Sequence, residues 1–294
     1  MLKQELTTSI TSVRPNALPL APSLRLRKAT PCLRSTALRR RLFATMVAVK
    51  AVKAVFFDLD DTLAITSGYD KVAWKAVGEL AMERNDKVSA AQLIEDFRKL
   101  FGTKPWDTTH KVPVTKWRAG LWLEALQKQS IDDEPLSEAL QAKYDEVRYS
   151  LFEFVDGVED MVKELEAAGL AVVIITNGHH KVQRDKLEAC NAYRLFHHII
   201  VGGEEVYGGR MEKPDAAIFH KACQYVGCSA SEAVHVGDSL GSDIGGAINA
   251  GLAASIWINP EGTPAPEGKP QPTYVARIVT ETPSIIAKMQ QAAA

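Results

Sequence analysis

Three short strings carry residues able to do acid–base and nucleophilic chemistry. They are Phe56-Phe57-Asp58-Leu59-Asp60-Asp61-Thr62, Ile174-Ile175-Thr176-Asn177-Gly178, and Val236-Gly237-Asp238-Ser239, with Asp243 a little further on. In each, small polar or acidic residues follow a β-branched or aromatic run. Residues two apart in extended chain face the same side, so Asp58 and Asp60 point together while Leu59 points away. If Asp238 joins them from a neighbouring strand, three carboxylates converge. Two such charges about 4 Å apart repel by roughly 4 kcal/mol at an effective dielectric near 20. Protons, a lysine or a divalent cation must offset that repulsion, and Lys213 of Lys213-Pro214 supplies one positive charge. An oxygen-lined site with few ligands and room for water and phosphate suits magnesium. Thr176 and Asn177 end an apolar run and precede a helix, where a hydroxyl and backbone N–H groups make a phosphate cradle. A phosphoryl group placed between Asp58, the cation, Thr176 and Lys213 would meet in-line attack, its developing charge surrounded by cations and donors. Each string alone also has a plainer meaning: a turn, or a helix N-cap. Four such signals in order, each at a strand end, describe one site.

The elements that must position these residues can be read from periodicity. Residues 51–57 form a continuous apolar run, the mark of a buried parallel strand. From 69 to 150 the pattern is helical only, with segments at 69–83, 90–101, 115–129 and 136–151. A Pro-containing loop spans 102–113. After residue 156 strands and helices alternate: helix 158–168, ended by Gly169, then strand 171–175, helix 181–190, strand 198–201, helix 215–226, strand 233–236, helix 242–250 and strand 254–258. A Pro/Gly-rich loop, a short strand at 274–278 and a helix at 283–290 complete the chain. Alternation at this spacing indicates an α/β fold, a doubly wound parallel sheet. The core is expected over 46–66 and 152–294, with an all-helical domain at 67–151 inserted after the first strand. In such sheets ligands bind beyond the carboxyl ends of strands, where all the strings fall.

Composition sets outer bounds. The chain has 294 residues and a formal charge of -1, which gives no general affinity for nucleic acid or anionic membranes. Residues 1–45 hold about nine Lys/Arg against one acid, Glu5, and are rich in Ser, Thr and Leu. That composition is expected of an organellar transit peptide, for chloroplast or mitochondrion, with a processing site near Phe43; a basic disordered tail is the alternative. The four cysteines, Cys32, Cys190, Cys223 and Cys228, form no Cys-x-x-Cys pair and suit a reducing compartment. The apolar run at 170–175 is far too short to span a bilayer.

Taken in order, Asp-Leu-Asp-Asp-Thr, Thr-Asn-Gly, Glu-Lys-Pro and Gly-Asp-Ser-x-x-x-Asp resemble the motifs of the haloacid dehalogenase superfamily. The helical insertion resembles the cap that family places behind its nucleophile loop. The resemblance covers about residues 50 to 290. It implies Asp58 as a nucleophile forming an aspartyl-phosphate. It implies Asp60 as the group that protonates the leaving oxygen, activates the hydrolytic water and lends its carbonyl to magnesium. Asp238 would ligate the metal directly, Asp243 would ligate it or hold its waters, and Thr176, Asn177 and Lys213 would hold phosphoryl oxygens. Finer strings, among them Gln183-Arg184-Asp185-Lys186-Leu187-Glu188-Ala189-Cys190 and Val201-Gly202-Gly203-Glu204, resemble a branch that dephosphorylates a nine-carbon acidic sugar phosphate. His179 and the segment 206–211 depart from that branch, which bears on specificity rather than core chemistry.

The expected substrate is a small-molecule phosphate ester, acted on by a monomer or homodimer. Arg118, just after the 102–113 loop, is the candidate fork for a substrate carboxylate, the alternative being a surface helix charge. Trp74, Trp117 and Trp122 are expected in the cap core, and Trp106 could stack on a flat ring. His179 and His180 lie near the cradle, at a solvated helix start or in touch with substrate. His197, His198, His220 and His235 read as structural. A flavin or nucleotide phosphatase, a phosphomutase and an inactive binding protein of the same fold are the other readings.

Overall fold

The computed structural model describes residues 51–293 apart from position 110. The basic segment 1–45, Cys32 and His110 lie outside the described residues. In chain order the elements are β1 (Ala54–Phe57), α1 (Thr66–Arg84), α2 (Ala90–Thr103), α3 (Val114–Gln127), α4 (Glu134–Leu151), α5 (Val158–Ala167), β2 (Ala171–Thr176), α6 (His180–Ala189), α7 (Ala192–Leu195), β3 (His198–Val201), α8 (Gly202–Tyr207), α9 (Ala216–Val226), β4 (Ala233–Gly237), α10 (Gly245–Asn249), β5 (Ala254–Ile258), β6 (Tyr274–Ala276) and α11 (Thr282–Ala293).

The strands form one sheet in the order β3-β2-β1-β4-β5-β6, with every pair parallel. All four residues of β1 are buried, as a strand paired on both edges and covered on both faces requires. Alternation along it feeds two separate cores. Val55 and Phe57 pack with Val172, Ile174, Val234 and the α5 residues Met161 and Leu165. Ala54 and Phe56 pack on the other face with Val173, Ile175 and the α9 residues Ile218 and Phe219. The chain runs outward from β1 in both directions, so the crevice beside it is the topological switch point where ligands bind.

Between β1 and α5, helices α1–α4 enclose a third core that includes Val77, Leu93, Phe97, Trp122, Leu126, Leu140 and Tyr144. Trp122 stacks on Phe97 with centroids 3.5 Å apart, and Trp74 and Trp117 pack half-buried against the same cluster. This helical layer is the cap of a doubly wound α/β core.

Several expectations need correction. The first strand begins at Ala54 rather than 51, and the last ends at Ala276 rather than 278. Helices α7 and α8 are too short to show a hydrophobic period. The helix expected over 242–250 is instead a wide π turn at Leu240–Ile244 followed by α10. Ser239 causes the widening: its carbonyl accepts from both Asp243 N and Ile244 N, and its hydroxyl accepts from Ser242 N. The extra residue in the turn swings Asp243 inward over Gly237, where a Cβ would lie 2.3 Å from the Asp243 carboxyl carbon.

Candidate active site

Asp58 leaves the end of β1, its N–H still bonded to Val236 O on β4 at 2.9 Å. Its Oδ1 accepts from Lys213 Nζ at 2.5 Å, and the same ammonium donates to Asp243 Oδ1 at 2.7 Å. Asp58, Lys213 and Asp243 are all buried. His235, on β4 and fully buried, brings Nε2 to 2.9 Å from Asp243 Oδ1, and Ser239 N donates to Asp243 Oδ2. One lysine thus lies between two carboxylates, and the two are driven apart in acidity. Burial raises the Asp58 carboxyl well above the ordinary range; Asp243 and Asp60 add to the rise and Lys213 opposes it. Burial also works against ionisation of Asp243, but Lys213 and His235 outweigh it and hold that group below the ordinary range. Burial opposes the charge on Lys213, which Asp243 and Asp58 more than restore. His235 is kept neutral by burial, despite its bond to Asp243.

Carboxylate oxygens of Asp58, Asp238 and Asp243 lie within 4.8 Å of one another. Asp238 is pushed up to about 7 by burial, then by Asp243 and Asp61. A cluster of hard oxygen donors holding more negative charge than Lys213 covers fits a divalent cation such as magnesium. The Asp60 carboxylate stands outside this cluster, so a role for Asp60 toward a metal would rest on its carbonyl, as the motif resemblance implies.

Asp60 is held by a different set. Thr66, the first residue of α1, donates to Asp60 Oδ1, and Lys186 Nζ donates to the same oxygen at 2.6 Å. Gln183 Nε2 donates to Asp60 Oδ2 at 2.7 Å and also to Thr176 Oγ1. Burial would raise the Asp60 carboxyl, but Lys186 and then Arg148 hold it below the ordinary range. Lys186 is drawn down to about 8 by burial, against the pull of Asp60.

Asn177 departs from its expected use. Its amide donates to Lys213 O at 2.7 Å and accepts from Lys213 N at 2.9 Å, so both ends of the side chain clamp the lysine backbone. Gly178 N donates to Glu212 Oε2, a second tie to the same segment. The Thr-Asn-Gly turn therefore fixes the height of Lys213, and Thr176 is the residue of that string whose side chain meets Asp60's partners.

Above Asp60 opens a crevice of about 300 Å³ between cap and core, walled by Trp106, Trp117, Arg118, Arg148, His179 and Lys186 among others. Arg118 is no surface charge: it is 7% exposed, lies over the Phe101 ring and has Nη1 3.7 Å from Asp145. Trp106 meets the edge of the His179 ring at 4.9 Å, and His179 caps α6 by accepting from Lys181 N. His235, read from sequence as structural, instead supports Asp243 directly.

Sequence reasoning passed over Thr66, Arg148, Gln183 and Lys186 as site residues. The signal for the last two was their i, i+3 spacing one turn into the helix that follows Thr-Asn-Gly, which places both on one face.

A family model described as haloacid dehalogenase-like hydrolase matches residues 52–251. The chain is similar to N-acylneuraminate-9-phosphatase of Mus musculus, 32% identical over 242 residues that span 82% of this chain and 96% of that protein. It is also similar to glyceraldehyde 3-phosphate phosphatase of Methanothermobacter thermautotrophicus, 30% identical over 216 residues, 73% of this chain and 88% of the relative. The HAD-hydrolase YfnB of Bacillus subtilis, solved bound to magnesium, shares the fold with a TM-score of 0.59 and 24% identity, over 81% of this chain and 99% of that one. The match runs from β1 through α10 and takes in every acidic strand end described above: the chain belongs to the haloacid dehalogenase-like hydrolases.

Proposed function

We propose that the protein is a magnesium-dependent phosphatase of a small organic phosphomonoester, working through an aspartyl-phosphate on Asp58. The observation that carries this reading is the division of labour between two carboxylates two residues apart. Asp58 is paired with Lys213 beside the acidic cluster, while Asp60 is held separately by Thr66, Gln183 and Lys186. Magnesium bound by Asp58, Asp238 and Asp243 would supply positive charge next to the phosphoryl oxygens.

A carboxylate oxygen of Asp58 attacks phosphorus as the bond to the leaving alcohol breaks, and Lys213 covers charge on the transferring group. Asp60 gives the leaving oxygen its proton. It is ionised in the arrangement described, and an incoming phosphate dianion beside it raises its proton affinity. Water then attacks the acyl phosphate, Asp60 takes the proton, and phosphate and free Asp58 are released. Thr176, tied to Asp60 through Gln183, offers a hydroxyl to the phosphoryl group.

Support for a sugar or sugar-acid phosphate as substrate comes from Arg118 in the crevice wall and from the activity of the mouse relative. We also propose that segment 1–45 directs the chain to a plastid or mitochondrion, which import of a fluorescent fusion would test. The catalytic reading is tested with Asp58→Asn: hydrolysis of p-nitrophenyl phosphate should fall at least about 1,000-fold with the fold intact by circular dichroism. Appreciable turnover by that variant, or by the native chain in EDTA, would exclude the route.

A further inference from the structure

A loop of the cap and a turn of the core meet beside the crevice through two aromatic rings. Trp106, between α2 and α3, and His179, between β2 and α6, both line the space, with ring centroids 4.9 Å apart and planes at 71°. Both are half-buried, and neither belongs to the acidic cluster or to the bonds around Asp60. Each is set by groups with no part in the chemistry. Asp107 ties the cap loop to itself. Its Oδ1 accepts from Thr109 N at 2.8 Å and Thr109 Oγ1 at 2.6 Å, and its Oδ2 accepts from Lys111 N and Val112 N, each at 2.9 Å. Pro105 and Pro113, whose φ is fixed by the ring, bracket this turn. A loop held in this way keeps its shape before a ligand arrives, and Trp106 with it. On the core side His179 Nδ1 accepts from Lys181 N at 3.2 Å, capping α6, and the ring stacks on His180 with centroids 4.4 Å apart.

The chemistry of these walls selects a ligand. Aromatic surface recognises a flat, apolar face through dispersion and ring-quadrupole contact with C–H or π groups. The cap wall continues that surface with Phe101 and Trp117, whose ring centroids lie 5.8 Å apart. An open-chain alcohol must give up several torsions to lie along such a wall, whereas a ring brings its atoms already ordered. Size agrees: pockets for small ligands run from about 300 to 1,000 Å³, and a crevice of about 300 Å³ suits one ring rather than a large polycycle. His179 is also where the sequence departs from the branch its finer strings resemble, so the core-side ring is a property of this chain.

We propose that Trp106 and His179 form a specificity pair against which the leaving alcohol lays the apolar face of a ring, and that Asp107 is the positioning residue that holds Trp106 there. The assignment rests on the phosphatase reading and narrows its substrates to phosphomonoesters whose alcohol carries a ring. A pyranose and a heteroaromatic base both present such a face, and the experiment separates them.

The test uses the full chain with magnesium and two matched pairs of esters. Glucose 6-phosphate is set against open-chain sorbitol 6-phosphate, and uridine 5′-monophosphate against ribose 5-phosphate, which lacks the base. In at least one pair the native enzyme should show a KM about tenfold lower for the member with the additional ring; which pair does so names the ring. Trp106→Ala and His179→Asn should each remove most of that preference, while Trp106→Phe, which keeps a flat face, should retain it. Asparagine still caps a helix, so the His179 variant isolates the loss of the ring. Asp107→Ala should act as Trp106→Ala does, on KM far more than on kcat, and Asp107→Asn, with one acceptor oxygen left, should fall between. Equal KM values within both pairs in the native enzyme would overturn the proposal. So would variants that slow both members of a pair by one common factor. Calorimetry with the corresponding sulfate esters, as uncleaved mimics, gives a reading independent of turnover: equal affinity within both pairs sinks the specificity pair. Failure to hydrolyse any phosphate, with a ring-bearing sulfate still preferred in calorimetry, would strike the phosphatase reading alone.

Discussion

At Asp60 hydrogen bonds arrive from two directions: from Thr66 where the cap begins, and from Gln183 and Lys186 on α6 of the core. Gln183 bridges the same carboxylate to Thr176, so the orientation of the Asp60 carboxylate and of the hydroxyl beside it are set by one amide. Lys186 is then a positioning residue with a readable signature. Lys186→Met should lower kcat/KM, which reports only the first transfer, by about 100-fold for an alkyl phosphate, in the range expected for proton transfer, yet lower it much less for p-nitrophenyl phosphate, whose leaving group departs unprotonated. Equal losses on both esters would reduce Lys186 to a structural cation. Of this network, Asp60 and Thr176 were legible in the sequence, and Gln183 and Lys186 left only the faint mark of a shared helix face. A glutamine and a lysine on a mostly polar helix look like solvent-facing residues, and their burial arises from distant segments folded against α6. Asp58, Asp60, Asp238 and Lys213 could be found because each follows an apolar run or sits in a short characteristic string.

Among the elements, strands were easier to read than turns. β3 and β5 lie where their mostly apolar runs predict, because short stretches dominated by Ile, Val and Trp have few other uses. The π turn after β4 could not be seen, since Gly241 and Ser242 suit any turn and the widening depends on the Ser239 carbonyl taking two N–H groups. That turn nonetheless delivers Asp243. Its inward swing depends on the bare backbone at Gly237, so Gly237→Ala should displace the Asp243 carboxylate from Lys213 and His235. The expected outcome is a loss of roughly 1–3 kcal/mol in urea unfolding, as for overpacked interiors, with weakened magnesium binding by calorimetry. Native magnesium affinity in this variant would show that Asp243 does not serve the cation site.

For the whole molecule, the proposed magnesium site would link metal binding to stability through pH. Asp238 has a folded value of about 7, raised by burial and neighbouring carboxylates, against about 3.9 for an unperturbed Asp. A raised carboxyl is a cost to the folded state that is absent below the unfolded value, grows as pH rises, and is complete above about 7. A cation held by the ionised cluster removes that cost. Magnesium should therefore raise Tm more at pH 8 than at pH 5.5, and Asp238→Asn should flatten the difference. A magnesium-induced shift of equal size at both pH values would contradict this coupling.

The backbone of Asp58 is fastened to β4 at the centre of the sheet, while the cap packs around an apolar cluster of its own. Warming can therefore loosen α1–α4 without disturbing the strand that presents Asp58. Deuterium should enter the cap amides long before it reaches position 58. In a heated sample, discrimination between esters would fade first, and a generic phosphate ester would still be cleaved after the enzyme had stopped choosing.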